Sequence, residues 1–222
     1  MSHKLHYMRA LAWWTINLPV PRRRAFNVQG ASYRTFEHVY NLTWLNERTV
    51  ELPIIRRVLE QFPAAKLLEI GHVLGHYAPA LRHDVVDKYE AADYPALFRE
   101  DALGFQGRAP YDLIISISTL EHVGWDEQPR DPEKVGRTIH HLRSLLAPGG
   151  RLVFTVPVGY NQGLDKVLDR GEGFTHRHCL KRVSIRNEWK EVAWSEIRSA
   201  RFHHPYPFAN GLVVAECGPL GA

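Results

Sequence analysis

One segment of the sequence, LEIGHVLG, places an acid and two glycines where a short apolar strand would lead into a helix. Glycines at such a turn let the backbone approach a ligand closely, and the first turn of a helix offers unpaired N–H groups. We therefore expect Glu69, Gly71 and Gly75 to form a ligand-binding loop. His72 and His76 lie in this loop and either contact the ligand or are exposed. The alternative for the glycines is tight packing of a strand against a helix.

Two acids further along the chain extend this site. Asp87 ends the predicted second strand, where a carboxylate can accept hydrogen bonds from both ribose hydroxyls of a nucleoside. Asp101 follows a third segment together with Ala102 and Leu103, and its carboxylate can accept from the amino group of adenine. The order of these groups predicts a cofactor that contains a nucleoside.

A candidate general base follows the most apolar strand of the chain. A histidine with a pKa near neutrality can remove a proton from an acceptor, and His122 occupies this place. Glu121 could orient His122 or bind a substrate hydroxyl. The alternatives are that His122 binds substrate without proton transfer, or that the pair only caps a turn. Tyr160 and Asn161 follow a later strand end and are expected to line the acceptor pocket, or else to form an ordinary turn.

Alternating strands and helices are predicted to position these residues. The predicted strands are 66–70, 83–87, 111–118 and 151–156, with a helix at 132–146. Such alternation indicates βαβ units and a parallel sheet covered on both faces. Two runs near the end, 195–202 and 211–217, are expected to pair as an antiparallel hairpin. The fold class is therefore α/β, mostly parallel with an antiparallel end.

The first part of the chain has a different pattern. Residues 1–50 lack a clean period and are predicted to be an extension with short helical pieces, ahead of the main domain at 51–222. A helix at 47–62 has one apolar face, formed by Val50, Ile54, Val58 and Phe62. The arginines at 22–24, beside Trp13 and Trp14, suggest contact with a membrane surface or a phosphate. Packing of the aromatic rings onto the domain is the alternative.

Composition narrows the class of protein. The chain has 222 residues and a formal net charge of +4, which fits an anionic small molecule better than nucleic acid. Its two cysteines lack metal-ligand or redox spacing, and the histidines at 176, 178, 203 and 204 lack an evident third ligand, so no metal site is expected. No apolar run reaches the ~20 residues of a membrane span and no signal peptide is recognised, so the cytoplasm is the expected location.

Taken together, the motifs resemble the class I S-adenosylmethionine-dependent methyltransferases over about residues 64–217. The resemblance is carried by LEIGHVLG, the acids at 87 and 101, YDLIIS, LEH and LLAPGG, in that order. It implies a Rossmann-like, mostly parallel seven-stranded sheet with helices on both faces. The stretches STLEHVG, TVPVGYN and YNLTWLNER are similar to small bacterial methyltransferases associated with glycan biosynthesis. This second similarity implies a sugar or nucleotide-sugar acceptor.

The resemblance also implies roles for individual residues. Asp87 would bind the ribose of S-adenosylmethionine, residues 101–103 its adenine, and the loop with Glu69 and the two glycines its methionine part. Ser118 and Thr119 occupy positions that approach the sulfonium. The middle glycine of the family loop is Val73 here, and a side chain there is expected to crowd the loop.

We therefore predict an enzyme that O-methylates a sugar or another small molecule with a hydroxyl group. Two alternatives stay open. A non-catalytic, methyltransferase-like binding or scaffold protein is suggested by Val73 and by the basic, aromatic N-terminus. An NAD(P)-dependent oxidoreductase shares the glycine turn and the ribose-binding acid, but the chain has no Tyr-x-x-x-Lys pair after its later strands.

Overall fold

The structure, a computed structural model, describes residues 24–221 and is organised around one large sheet. Its strands, with a separate two-stranded hairpin first, are β1 Ala25–Val28, β2 Ala31–Arg34, β3 Leu67–Ile70, β4 Asp84–Val86, β5 Leu97–Phe98, β6 Tyr111–Ile117, β7 Leu146–Pro157, β8 His176–Arg182, β9 Trp189–Val192 and β10 Gly211–Cys217. The eight strands of the sheet lie in the order β5-β4-β3-β6-β7-β10-β8-β9.

Strand direction confirms the predicted fold class. Strands β3 to β7 pair in parallel, and β10 pairs antiparallel with both β7 and β8. The predicted partner of β10 was wrong, because residues 195–202 are not a strand. A 3₁₀ turn at Trp194–Glu196 begins there, and the Glu196 carboxylate accepts from the Ala193 N–H. The partner beyond β7 is β8, which begins at His176. Strand β9 adds an eighth strand.

Helices cover both faces of the sheet, as predicted. Helix α1 (Arg48–Gln61) packs on one face, where its buried Val50 and Ile55 share a cluster with β6 residues such as Ile115. Helices α2 (Lys134–Ser144) and α3 (Gln162–Arg170) pack on the other face, against Ile114 and Phe154. No helix within residues 24–221 has the length and apolar character to cross a membrane.

The connections at one end of the sheet lack helices. Between β3 and β4, residues 71–83 contain only the 3₁₀ turn Leu74–His76, and the links from β4 to β5 and from β5 to β6 are loops. The helix expected after the glycine loop is therefore absent. The loop N–H groups are instead bound by the Glu69 carboxylate, and Pro79 lies inside the short connection, where it disfavours a longer helix.

The predicted extension is in part a β-hairpin. Within residues 24–50, helical structure is limited to the 3₁₀ segment Tyr40–Leu45 and the start of α1, while β1 and β2 pair antiparallel. The hairpin buries Phe26 and Val28 in the same cluster as α1 and the β9 residue Trp189. These apolar contacts stabilise a hairpin at residues 25–34, where the sequence predicted short helical pieces. The tryptophans at 13 and 14 and the arginines at 22 and 23 lie outside the described residues.

Candidate active site

The glycine loop is shaped by a buried carboxylate. Glu69 is fully buried, and its Oε1 accepts the N–H groups of Val73 (2.9 Å) and Leu74 (2.8 Å). Its Oε2 lies 2.7 Å from Nε2 of His83, the residue before β4. Glu69 therefore holds the loop in place from behind and is not among the residues that line the neighbouring cavities.

The two glycines of this loop serve different purposes. Gly71 has φ +86°, and a Cβ there would overlap the Thr119 side chain, so this glycine allows the loop after β3 to approach the loop after β6. Gly75 leaves room for the imidazole of His72 and lines neither cavity. Val73 has φ −90° and ψ −48°, a conformation open to any residue. Val73 therefore occupies its position in the loop without backbone strain.

A narrow cavity of about 100 Å³ lies outside the carboxyl ends of β3 and β4. Asp87 is on its wall and accepts three backbone N–H groups, from His72 (3.1 Å), Tyr89 (2.9 Å) and Glu90 (2.9 Å). A carboxylate has about four acceptor positions, so Asp87 retains capacity for a ligand hydroxyl. Tyr89 contributes an exposed aromatic ring to the same wall.

Asp101 and Ala102 line the far side of this cavity, while Leu103 lies in a separate groove. Asp101 accepts from Lys88 (3.2 Å) and Lys134 (2.5 Å). Partial burial alone would raise the pKa of Asp101, but the hydrogen bonds from Lys134, the Leu103 N–H and Lys88 outweigh it and lower the pKa. An adenine amino group would share an ionised carboxylate with these lysines, which sequence reasoning did not identify.

A wider cavity of about 480 Å³ adjoins the first, and the two share Gly71, Asp87 and Thr119 on their walls. Tyr40 and Arg48, from the segment that precedes α1 and from its first turn, form the opposite side. The residues that line it carry both signs of charge, as a zwitterionic amino acid moiety requires.

Arg48 belongs to a buried network of acids beneath this cavity. Its Nη1 donates to Glu51 Oε2 (2.7 Å) and to the Ile117 carbonyl (3.0 Å). Ser118, predicted to approach the cofactor, has φ +37° and donates to Glu51 Oε1 (2.5 Å). Its hydroxyl thus fixes α1 to the end of β6. The neighbouring Thr119 takes the place beside the cavities.

Glu121 is also part of this network. Its side chain is 4% exposed, and its Oε2 has no hydrogen-bond partner within residues 24–221. Burial, and then the nearby Glu51 carboxylate, raise the pKa of Glu121 well above its ordinary value of 4.5. Glu121 therefore holds a proton more tightly than a surface carboxyl group does.

His122 forms a hydrogen-bonded group with two residues at the rim of the narrow cavity. Its Nδ1 lies 2.6 Å from Asp126 Oδ2, and the Tyr160 hydroxyl donates to the same oxygen at 2.7 Å. Burial alone would raise the pKa of Asp126, but the hydrogen bonds from His122 and Tyr160 outweigh it and lower the pKa. The other ring nitrogen, Nε2, is 3.8 Å from Glu121 Oε1.

Asp126 was not identified from the sequence, although its separation of four residues from His122 within a turn could have indicated it. Asn161, predicted to bind substrate, is fully buried and has a structural role instead. Its side chain accepts the N–H groups of Gly163 and Leu164 at the start of α3 and donates to the Glu121 carbonyl (2.9 Å). A buried amide with these bonds has no free group to offer a substrate.

The strand order and the cavities at the carboxyl ends of the strands define a Rossmann-like protein that binds a nucleoside-containing cofactor. A family model described as a methyltransferase domain matches residues 45–195, more than half of the chain. The chain belongs to this methyltransferase family. Its cofactor is S-adenosylmethionine, and the predictions of the cofactor and of a methyltransferase enzyme are confirmed. The oxidoreductase alternative has no support.

Individual relatives are more distant. The chain is 31% identical over 157 residues to a protein-L-isoaspartate O-methyltransferase of Chlorobaculum tepidum, an alignment that covers 64% of each protein. It thus spans slightly less than two thirds of that relative's length. Similar solved structures include the N-methyltransferase NodS of Bradyrhizobium japonicum WM9, with S-adenosyl-L-homocysteine (18% identity, 78% of this chain, 87% of that chain, TM-score 0.49), and the sugar N-methyltransferase KedS8 of a Streptoalloteichus species (13%, 87%, 99%, 0.42).

The residues present fit this cofactor. The two cavities share Gly71, Asp87 and Thr119 on their walls, so a ligand can extend from one into the other. The narrow cavity combines apolar walls, Ile70 and Val86, with the acids Asp87 and Asp101, as a nucleoside requires. The wider cavity presents Arg48 to a carboxylate.

Proposed function

We propose that the protein transfers a methyl group to a hydroxyl oxygen of a sugar or a related small molecule, with His122 as the general base. The observation that carries this proposal is the pairing of His122 Nδ1 with Asp126 at the rim of the narrow cavity. Hydrogen bonding of Nδ1 to a carboxylate leaves Nε2 to accept a proton, as in other histidine–aspartate pairs.

When bound, the cofactor supplies a methyl group already activated on a sulfonium. The protein's tasks are then to align the acceptor, exclude water and remove one proton. His122 Nε2 would take the proton of the acceptor hydroxyl as that oxygen accepts the methyl group. Asp126 stabilises the resulting imidazolium. Tyr160 remains protonated, because burial and then its hydrogen bond to Asp126 raise the pKa of its hydroxyl, and it acts as a donor.

A second candidate acceptor is a peptide carboxylate, suggested by the name of the Chlorobaculum relative. A carboxylate is already ionised at neutral pH, so it gains nothing from a general base. The His122–Asp126 pair therefore favours the hydroxyl acceptor. The scaffold alternative predicts that cofactor binds weakly or not at all and that nothing turns over.

The first experiment is titration of the purified protein with S-adenosylhomocysteine by calorimetry, with Asp87→Asn as the cofactor-site variant. We expect saturable binding that weakens in the variant, because an amide binds ribose hydroxyls less well than a carboxylate. Absence of binding to the wild-type protein would support the scaffold alternative.

The second experiment measures methyl transfer from S-adenosylmethionine to two panels, free and nucleotide-linked sugars and isoaspartyl peptides. We expect turnover with a member of the sugar panel, reduced about 10²–10⁴-fold in His122→Ala, with S-adenosylhomocysteine binding retained. His176→Ala, which removes an exposed histidine outside both cavities, is the matched control. Full activity in His122→Ala, or turnover of peptides alone, would refute the assignment.

A further inference from the structure

Three potential metal ligands converge on the wall of the wider cavity. His72, His76 and Glu90 each offer one ligand atom, and these atoms all lie within 4.8 Å of one another. His72 precedes the 3₁₀ turn Leu74–His76 and His76 ends it, and their imidazole ring centroids are 5.4 Å apart. All three residues line the cavity, so a group held by them would face it.

His72 is otherwise difficult to explain. Its side chain is 7% exposed, yet neither imidazole nitrogen has a hydrogen-bond partner within the described part of the chain. A buried polar group left unsatisfied destabilises the fold. Nδ1 points toward Glu90 Oε2 at 3.6 Å, too long for a hydrogen bond. It is close to the ~3.4 Å that separates two ligands bound at about 2.1 Å to one tetrahedral ion.

The segments that carry these ligands are fixed relative to each other by one carboxylate. Asp87 accepts the N–H of His72 through Oδ2 (3.1 Å) and the N–H of Glu90 through Oδ1 (2.9 Å). The imidazole of His76 is restrained as well, because it stacks on Tyr40 with ring centroids 4.1 Å apart. The three ligands are therefore held in place by contacts outside the cluster, as a pre-formed site requires.

We propose that His72, His76 and Glu90 bind a divalent transition-metal ion of the zinc type. Two imidazoles and one carboxylate suit Zn²⁺, Co²⁺ or Fe²⁺, whereas Mg²⁺ and Ca²⁺ prefer sites built from oxygen ligands alone. Three protein ligands leave at least one coordination position open to the cavity. The site neither requires nor implies a role for the metal in methyl transfer, so it does not rest on the proposed acceptor.

The test is a titration of the chelator-treated, tag-free protein with Co²⁺, followed by visible absorption, and with Zn²⁺, followed by calorimetry. We expect one equivalent to bind, with Co²⁺ bands of the intensity typical of four- or five-coordinate sites. His76→Ala and Glu90→Gln are each expected to weaken binding at least about tenfold. His140→Ala, which removes an exposed histidine on α2 outside this cavity, should leave the titration unchanged.

Circular dichroism of each variant separates loss of a ligand from loss of the fold. The proposal is overturned if the wild-type protein shows no saturable binding. It is also overturned if one equivalent binds but His76→Ala and Glu90→Gln leave the affinity unchanged, since the ion would then occupy other histidines. Because the metal titration is done without cofactor, its failure is independent of S-adenosylhomocysteine binding.

Discussion

The hydroxyl of Tyr160 shares Asp126 with His122, and this shared carboxylate gives a residue-level prediction. Removing the hydroxyl in Tyr160→Phe takes away one of the bonds that lower the pKa of Asp126. That pKa should rise, so Asp126 would hold the His122 imidazolium more strongly and the acidic limb of the kcat profile should move to higher pH. The loss of one hydrogen bond of about 1 kcal/mol predicts a roughly fivefold lower kcat.

The measurement is kcat against pH for Tyr160→Phe and wild type with the best sugar acceptor. An unchanged acidic limb together with a raised KM would mean that Tyr160 binds the acceptor instead.

Gly71 gives a second prediction at this scale. A Cβ at this position adds two costs, a positive φ and an overlap with Thr119. Gly30 has φ +70° and open space around it, so Gly30→Ala should cost only the ~1–2 kcal/mol of the left-handed conformation. Gly71→Ala should destabilise the protein by more and should weaken S-adenosylhomocysteine binding.

The comparison uses urea unfolding of both variants and of Gly71→Ala/Thr119→Gly, in which the overlap is removed. Recovery of stability in the double variant identifies the overlap as the cause. Equal losses in Gly71→Ala and Gly30→Ala would contradict it.

At the residue scale, sequence reasoning located some of the residues on the cavity walls and missed others, and their roles stay predictions. Asp87, Asp101 and His122 were predicted from their places after strand ends, and all three line the narrow cavity. Asn161 followed a strand end as well, but there the amide caps α3. Asp126 was missed because it lies four residues after His122, and the sequence reasoning considered only residues close to the end of a strand.

At the scale of elements, α1 and the loop after β6 meet through a group of buried carboxyl side chains. Three carboxyl groups, Glu47, Glu51 and Glu121, are buried there beside the Arg48 side chain. Burial and the Glu51 carboxylate raise the pKa values of both Glu47 and Glu121. The folded protein therefore binds protons that the unfolded chain releases as the pH rises above the ordinary carboxyl range.

The free energy of unfolding is therefore expected to fall as the pH rises above 4.5, the ordinary pKa of a glutamate. The reason is that the folded state holds more protons there than the unfolded state. Glu121→Gln removes one such proton and should raise the melting temperature at about pH 8 more than near pH 4.5. Thermal unfolding of both proteins at the two pH values is the measurement. Glu60→Gln, at an exposed position on α1, is the control and should show no such difference. A gain that is equal at both pH values would contradict the raised pKa.

Elements with a strong apolar pattern were predicted from the sequence. Strands β3, β6 and β7 and helix α2 are strongly patterned, and the structure contains all four. Strand β8 begins with His176, Arg177 and His178, whose polarity suits solvent, and pairing with the apolar β10 on one side and β9 on the other makes it a strand. The helix expected after Gly71 is only the single 3₁₀ turn Leu74–His76, whose first N–H groups are capped by the Glu69 carboxylate, and Pro79 just beyond it disfavours an extension.

At the scale of the whole molecule, the apolar contacts of the hairpin predict that residues 24–50 unfold together with the domain. Phe26 is 5% exposed and packs in the cluster that contains α1. Phe26→Ala should therefore destabilise the entire protein by about 3–5 kcal/mol, in one cooperative transition. Val39→Ala, at a side chain that is 76% exposed, should change little.

Calorimetry of the two variants separates these outcomes. A wild-type melting temperature in Phe26→Ala, or a separate low-temperature transition, would mean that the extension is an independent unit.

The hairpin also covers one edge of the large sheet. The sheet ends in two edge strands, β5 with two residues and β9 with four. Short edges offer few free N–H and C=O groups, and β1 packs beside the longer one, where the Gln29 N–H donates to Glu191 in β9 (2.9 Å). Removing the hairpin would expose this edge together with Trp189. A shortened chain would then tend to aggregate by pairing β9 with other copies, so the hairpin protects the solubility of the protein as well as its fold.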